Sequence, residues 1–188
     1  MSRDSQRHYS VDDYFMVEEM SEVKHEYSNG EIFAMAGASL PHNEIAANVL
    51  SEFREGLRDT NCGAYGSDLR VQTPSGLYTY PDVSVICGRA ALAPGRSDTV
   101  TNPVVLVEVL SDATAEYDRG EKFTLYKAIP TFHHYLLISQ STALVEHWER
   151  TSTADWECQS VEGLKDLIVL PDLSISIALD NIYRRVFS

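Results

Sequence analysis

The spacing of hydrophobic and polar residues predicts helices interleaved with strands. Residues 41–60 form the clearest predicted helix, because apolar side chains recur there at helical spacing. Shorter helices are predicted over residues 10–20, with Ser10 as the N-cap, and over residues 117–128 and 178–186. The apolar positions of the long helix are Ile45, Val49, Leu50, Phe53 and Leu57.

Alternating or β-branched runs predict the strands. Asn29-Gly30 is typical of a tight turn and predicts two strands within residues 24–37. A loop rich in glycine, proline and small polar residues fills 88–102. The order of elements predicts one α/β (α+β) domain over residues 1–188, with a mixed central sheet flanked by helices. The other predicted strands are 64–73, 77–87, 103–110, 133–139, 143–149, 155–161 and 171–177.

Composition narrows the class of protein. Hydrophobic residues make up 44% of the 188, which argues against overall disorder. No apolar run approaches the roughly 20 residues of a membrane helix, and the N-terminus lacks the apolar core of a signal peptide. The polar residues 1–10 are expected to fray. Three widely separated cysteines, Cys62, Cys87 and Cys158, predict free thiols in a reducing cytoplasm.

The net charge of −13 argues against nucleic-acid binding through a broad basic surface. A bound cation supplies local positive charge, so an acidic protein can still bind phosphate groups.

Two acids interrupt runs that otherwise predict buried strands. Asp82 follows a proline within residues 80–86, and Glu108 lies within residues 103–111. A buried carboxylate is costly unless it is compensated, and a divalent cation between two of them is the simplest compensation. With the Val109 carbonyl, they would offer the hard oxygens that Mg²⁺ or Mn²⁺ prefers, and we expect the two carboxylates within about 6 Å. Taken alone, Asp82 also fits an ordinary aspartate at the end of a turn.

Lys122 is the candidate cation beside these acids. It lies on the predicted 117–128 helix, where Gly120, a poor helix former, suggests that another group packs closely against that turn. A surface pair with Asp118, four residues earlier, is the alternative for this lysine. His133-His134, before the next strand, is predicted to lie at the surface, and Asp172, after a second proline, is predicted to be structural.

Taken together, these motifs resemble the PD-(D/E)xK nuclease superfamily, and within it the restriction-endonuclease branch called the Uma-two family. The similarity runs from about residue 10 to the end of the chain. The combination of motifs is specific, whereas each piece alone is weak. The matching segments are 26–27 with 29–31, 37–39 with His42, 68–71, 80–83, 107–111 and 117–122.

The resemblance implies a restriction-endonuclease-like core in which Asp82 and Glu108 bind the metal. The superfamily's lysine two residues after the glutamate is missing, because Leu110 stands there. In this branch the lysine lies on the following helix instead, and Lys122 fits that position. The long helix commonly gives an acid to such sites, and we expect His42 to take that place, unless it is a satisfied core histidine. Glu26 and Asp68 also match, as site residues or as braces of the sheet.

The predicted function is hydrolysis of phosphodiester bonds, most readily in DNA, by a Mg²⁺- or Mn²⁺-dependent endonuclease. Its predicted catalytic residues are Asp82, Glu108, Lys122 and His42, and its metal ligands are Asp82, Glu108 and Val109. Cutting two strands favours a homodimer. We expect contacts with DNA to be confined to a cleft that contains Lys122, with Lys24, Arg70 and Arg119 as further candidates. The alternative is a non-catalytic interaction protein that retains the fold, which the acidic charge and the lack of a separate DNA-binding module favour.

Overall fold

The computed structural model describes residues 8–187, so the expected fraying of residues 1–7 lies outside it. The predicted first helix is present and begins after Ser10, whose hydroxyl accepts a hydrogen bond from the Asp13 N–H. The last helix covers only part of its predicted range. The helices are α1 Val11–Met20, α2 Leu40–Gly56, α3 Ala115–Tyr117, a π-helical turn Asp118–Lys122, α4 Phe123–Tyr126 and α5 Leu179–Ile182.

The strands form three sheets. The first has the order β2-β1-β5-β4-β7, the second β11-β10-β9-β8-β6-β3, and β12 pairs with β13. The pairs β8–β9 and β4–β7 are parallel and the rest antiparallel, which confirms the mixed α+β class. The strands are β1 His25–Ser28, β2 Glu31–Ala34, β3 Cys62–Gly66, β4 Arg70–Gln72, β5 Tyr78–Thr79, β6 Val83–Cys87, β7 Thr99–Val100, β8 Val105–Leu110, β9 His134–Ser139, β10 Leu144–Arg150, β11 Trp156–Glu162, β12 Leu167–Leu170 and β13 Ile175–Ala178.

Strand β8 organises the core, since every residue in it is buried. Its side chains alternate between faces. Val107 and its odd-numbered neighbours pack with the apolar face of α2. Leu106 and Leu110 pack with Phe123 and Tyr126 of α4. Glu108 lies between Leu106 and Leu110 on the same face of β8 and therefore projects toward α4.

The segment that carries Lys122 differs from the continuous α-helix predicted for residues 117–128. Residues 118–122 form a π-helical turn between two short α-helices. Gly120 at its centre weakens the α-helical alternative, which makes the wider turn less costly. The expectation of close packing at Gly120 is wrong, because among the described residues an added Cβ would meet no atom within 4 Å apart from its chain neighbours and the backbone of its own helical turn.

The late strand predicted over residues 171–177 is also corrected. Pro171–Leu173 forms a 3₁₀ turn, and β13 begins only at Ile175. Its partner β12, Leu167–Leu170, was not predicted. Proline lacks the N–H that a strand ladder needs, so the chain turns there instead.

The prediction of free thiols is wrong for two of the three cysteines. The antiparallel register of β3 and β6 places Cys62 opposite Cys87, and their sulfurs form a disulfide. Directly opposite residues have neighbouring Cβ atoms, which brings the thiols within bonding reach although 25 residues separate them in sequence. Cys158 is free and exposed.

The surface prediction for His133-His134 fails at His134, which is buried. One ring nitrogen of His134 lies 3.0 Å from His147 Nε2 and the other 2.7 Å from Asp172 Oδ1. Burial and the neighbouring His134 lower the pKa of His147 to about 4. The structural interpretation of Asp172 therefore agrees with its contacts.

In the described part of the chain, no helix combines the length and apolar character needed to cross a bilayer.

Candidate active site

Glu108 anchors the site from the centre of the six-stranded sheet. Its carboxylate is buried, and Oε1 accepts a hydrogen bond of 2.8 Å from the Tyr126 hydroxyl. The same oxygen lies 2.9 Å from Nζ of Lys122. Both partners come from the helical segment after β8, and both lie over the face to which Glu108 projects. Tyr126, four residues after Lys122, was not predicted as a site residue.

Lys122 points inward and is almost fully buried. Besides Glu108, its ammonium lies 3.1 Å from Glu26 Oε1 and 3.5 Å from Asp118 Oδ1. The pair with Asp118 therefore exists, but it is buried and not the surface pair that the sequence offered as an alternative. One ammonium thus faces three carboxylates, and these four residues are called the Lys122 cluster below.

The electrostatics of the Lys122 cluster follow from burial and crowding. Burial raises the pKa of Glu108 well above its ordinary value, and the nearby carboxylates add to this effect. Burial alone would lower the pKa of Lys122, but Glu108, Glu26 and Asp118 outweigh it and hold the pKa well above its ordinary value. The lysine therefore stays charged. The raised pKa favours the neutral form of Glu108, and a cation bound beside it would stabilise the charged form.

Asp82 lies at the edge of β8, immediately before β6. Its Oδ2 accepts a hydrogen bond of 2.7 Å from the Val109 N–H, and its Oδ1 lies 2.9 Å from His42 Nε2. His42 stands in the first turn of α2, where the Ser39 hydroxyl caps its N–H. The predicted residues Asp82 and Val109 are therefore adjacent, and His42 reaches the site by holding Asp82.

Two further acids, Glu26 and Asp68, have different positions. Glu26 in β1 contacts Lys122 and accepts a hydrogen bond from the Thr79 hydroxyl, so it belongs to the cluster. Asp68 is exposed and pairs with Lys24 at 2.6 Å, and that hydrogen bond lowers its pKa. The match to the family motif was the signal for Glu26, but it did not distinguish Glu26 from Asp68.

The oxygen donors near Glu108 suit a magnesium-type cation. Each Asp82 oxygen has one hydrogen-bond partner, and a carboxylate oxygen can accept more than one. Within residues 8–187, no hydrogen bond reaches Glu108 Oε2. The Val109 carbonyl points to the same side of β8 as its N–H, because both groups of a strand residue face one neighbour.

Among the residues that the structure describes, no three His, Cys, Asp or Glu side chains form a ready metal-binding group. Mg²⁺ does not require one, since it usually binds one or two carboxylates and retains several waters. Two carboxylates and one backbone carbonyl are therefore donor types that fit such a cation.

This fold belongs to the restriction-endonuclease-like class. A crystal structure titled as a putative nuclease belonging to DUF820, from Anabaena variabilis ATCC 29413, superposes with a TM-score of 0.72 over 89% of this chain and 93% of that one. The sequence identity is 16%, so the comparison concerns the fold alone.

Sequence comparison identifies the family. The model of the Uma2 family, described as "Putative restriction endonuclease", matches residues 11–180, and the chain belongs to this family. Two relatives come from Synechocystis sp. (strain ATCC 27184 / PCC 6803 / Kazusa), and both are named as uncharacterized proteins. The protein slr1290 is 36% identical over 93% of this chain and 91% of its own length, and sll1609 is 35% identical over 80% and 86%.

Proposed function

We propose that this protein is a divalent-metal-dependent endonuclease that hydrolyses phosphodiester bonds in DNA. The observation that carries the proposal is the buried Lys122 ammonium, 2.9 Å from Glu108. In the superfamily motif the acid and the lysine lie on one strand. Here Lys122 comes from the next helical segment, but it still pairs with the acid. Membership of the family and the likeness in fold support the same activity.

In the proposed site, Asp82, Glu108 and the Val109 carbonyl hold Mg²⁺ or Mn²⁺. When bound, such a cation stabilises charge on the phosphoryl oxygens and lowers the pKa of a water molecule. His42 orients Asp82 by bonding Oδ1, which leaves the carboxylate's remaining lone pairs directed elsewhere. Tyr126 does the same for Glu108 through Oε1.

Lys122 supplies the protein's own positive charge. In the proposed mechanism it positions the attacking water and stabilises the negative charge that develops on the phosphorane. Glu26 and Asp118 keep the lysine protonated and fix its ammonium, which Glu26 contacts from β1 and Asp118 from the same π-helical turn. Lys122, Glu108 and Asp118 are buried, so each of these charges acts more strongly than it would in solvent.

The test is incubation with supercoiled, linear and single-stranded DNA in Mg²⁺ or Mn²⁺. We expect cleavage by the wild type and none after EDTA. Lys122→Ala should abolish turnover and leave metal binding measurable, because the lysine is not a ligand. Full activity of Lys122→Ala would remove the lysine from the mechanism, and inactivity of the wild type on all three substrates would contradict the proposal.

A second candidate is a non-catalytic interaction protein that retains the nuclease fold. Lys122 already occupies Glu108 Oε1, and the net charge of −13 opposes a nucleic-acid partner. A divalent-metal titration followed by thermal shift separates the two functions. The nuclease gains stability with Mn²⁺, whereas the interaction protein does not.

The cellular setting follows from the substrate. We propose the cytoplasm as the location, because DNA is there, and a homodimer, because two sites suit the two strands of a duplex. Free thiols no longer support a reducing cytoplasm at Cys62 and Cys87, because these two residues form a disulfide. Sedimentation of the purified protein tests the dimer, and thiol labelling of protein taken directly from cells tests whether the disulfide persists there.

A further inference from the structure

An open cavity of about 640 Å³ lies beside Asp82. It follows α2 on one side and the 65–69 segment, at the end of edge strand β3, on the other. Among residues 8–187, its lining includes three acids, Asp68, Asp82 and Asp98, and one arginine, Arg54. Because it begins at a residue of the proposed catalytic site, a polymeric substrate that reaches Asp82 can continue into it.

Most cations near this cavity already have acidic partners. Lys24 pairs with Asp68 at 2.6 Å, and Arg96 pairs with Asp98 at 2.7 Å, so these two acids are compensated. Arg70, predicted to contact DNA, is buried against Glu18, and Arg119 pairs with Glu146. The expectation that Arg70 is available for DNA therefore conflicts with the structure. Lys24 and Arg119 are partly exposed, although each is paired with a carboxylate.

Arg54 differs from these cations. Its Nε donates a hydrogen bond of 3.2 Å to the carbonyl of Ala64 in β3. Across residues 8–187, no carboxylate pairs with its guanidinium. The bond at Nε fixes the direction of the side chain, and the two terminal nitrogens stay available as a fork, the geometry that binds phosphate bidentately.

The strand register gives the distance from Arg54 to the catalytic site. Gly66 pairs with Val83, so Asp82 lies level with position 67 of the neighbouring strand. Ala64, which holds Arg54, is three residues before that position, or about 10 Å along the strand. Along the axis of a duplex each strand advances only about 3.4 Å per nucleotide, so a group at this distance contacts a phosphate beyond the scissile one.

We infer that the cavity is a subsite for the nucleic-acid backbone, in which Arg54 binds a phosphate beyond the scissile one. This inference rests on the proposed nuclease function and adds a substrate requirement to it. Very short substrates end before Arg54, whereas longer ones reach it. The arginine is a binding residue and takes no part in the chemistry.

The experiment measures binding of fluorescein-labelled single-stranded DNA by anisotropy in Ca²⁺, with a dinucleotide and a 12-nucleotide strand as probes. Arg54→Ala should weaken binding of the longer strand about tenfold and reduce its salt slope by about 0.7. Binding of the dinucleotide should not change. Arg54→Lys should recover part of the loss. Arg58→Ala, which removes an exposed arginine just beyond α2 and outside the cavity, should match the wild type.

An equal effect of Arg54→Ala on both strand lengths, or no effect on either, would overturn the subsite. A parallel assay of bis(p-nitrophenyl) phosphate hydrolysis in Mn²⁺ separates this failure from failure of the proposed function. Wild-type hydrolysis of this small diester with no length-dependent role for Arg54 would reject the subsite alone. No hydrolysis, and no binding of either strand, would reject both.

Discussion

Two buried groups of charged side chains in this protein differ in their ratio of acids to cations. In the Arg70 network, Arg70 and Glu18 are buried against each other, and the guanidinium also bonds the Tyr80 hydroxyl, Thr99 and the more exposed Asp98. In the Lys122 cluster, one ammonium faces three carboxylates. One cation and one acid at a buried centre suffice to brace a fold, whereas an excess of acids creates demand for another cation.

This difference shows how a structural ion pair can be distinguished from a candidate functional site. Both groups are buried and hydrogen-bonded, so burial alone does not distinguish them. Arg70 uses its guanidinium nitrogens on partners already present. Glu108, in contrast, retains an oxygen to which no donor within residues 8–187 is bonded. The excess of acids and the unused acceptor are therefore the features on which the proposed function of the second group rests.

The largest expected effect comes from removing one acid of the balanced pair. Glu18→Gln leaves the buried Arg70 charge without its main partner, and an arginine cannot lose its proton to compensate. We expect a loss of about 3 kcal/mol in the free energy of unfolding, measured by urea denaturation. Glu108→Gln is the matched variant and should cost less than about 1 kcal/mol, because Lys122 keeps Glu26 and Asp118. Equal losses would mean that both groups are braces.

Asp82→Asn should separate activity from stability. The amide oxygen can still accept from the Val109 N–H, and the loss of a carboxylate relieves repulsion in the apo protein. In EDTA the melting temperature should stay the same or rise, while DNA cleavage falls at least about 100-fold, or about 2.7 kcal/mol. If Asp82→Asn unfolds the protein, Asp82 is a structural brace.

Acid titration should report on the Arg70 network. Burial alone would raise the pKa of Glu18, but hydrogen bonds from Tyr80, His25 and Arg70 outweigh it and lower the pKa below the ordinary 4.5. The stability that this carboxylate contributes is therefore present above pH 4.5 and is lost as the pH falls through the lowered folded pKa. The difference in unfolding free energy between wild type and Glu18→Gln should shrink over that range. A constant difference would contradict the assignment.

The smallest effect should come from single hydroxyl groups. Tyr126→Phe removes the hydrogen bond to Glu108 Oε1 and should cost about 1 kcal/mol of stability. Tyr80→Phe removes contacts to both Arg70 and Glu18 and should cost more. Only Tyr126→Phe should also slow cleavage, since only Tyr126 orients a proposed metal ligand. Chemical denaturation and plasmid-cleavage rates of both variants measure this contrast.

Strong local patterns gave most of the fold and part of the site. The helical spacing of Ile45, Val49 and Phe53 predicted α2, and the β-branched run around Glu108 predicted β8. Family motifs led to Lys122, which the structure brings to Glu108.

What could not be predicted depends on contacts between distant segments. Glu26 reaches Lys122 from β1, 96 positions earlier in the numbering, and no local pattern encodes that approach. The Cys62–Cys87 disulfide depends on the register of β3 and β6. The π-helical turn follows from a competition between helix types that single-residue propensity does not resolve. The separation of the Asp82 and Glu108 carboxylates stays a prediction of about 6 Å or less.

Calorimetric titration with Mn²⁺ tests the central claim most directly, because it measures whether the surplus acids bind a divalent cation. We predict about one Mn²⁺ per chain for the wild type and for Glu18→Gln, and loss of that binding in Glu108→Gln. This result would place the cation at the Lys122 cluster and Asp82, with the Arg70 network uninvolved. No binding by the wild type, or unchanged binding by Glu108→Gln, would contradict the account.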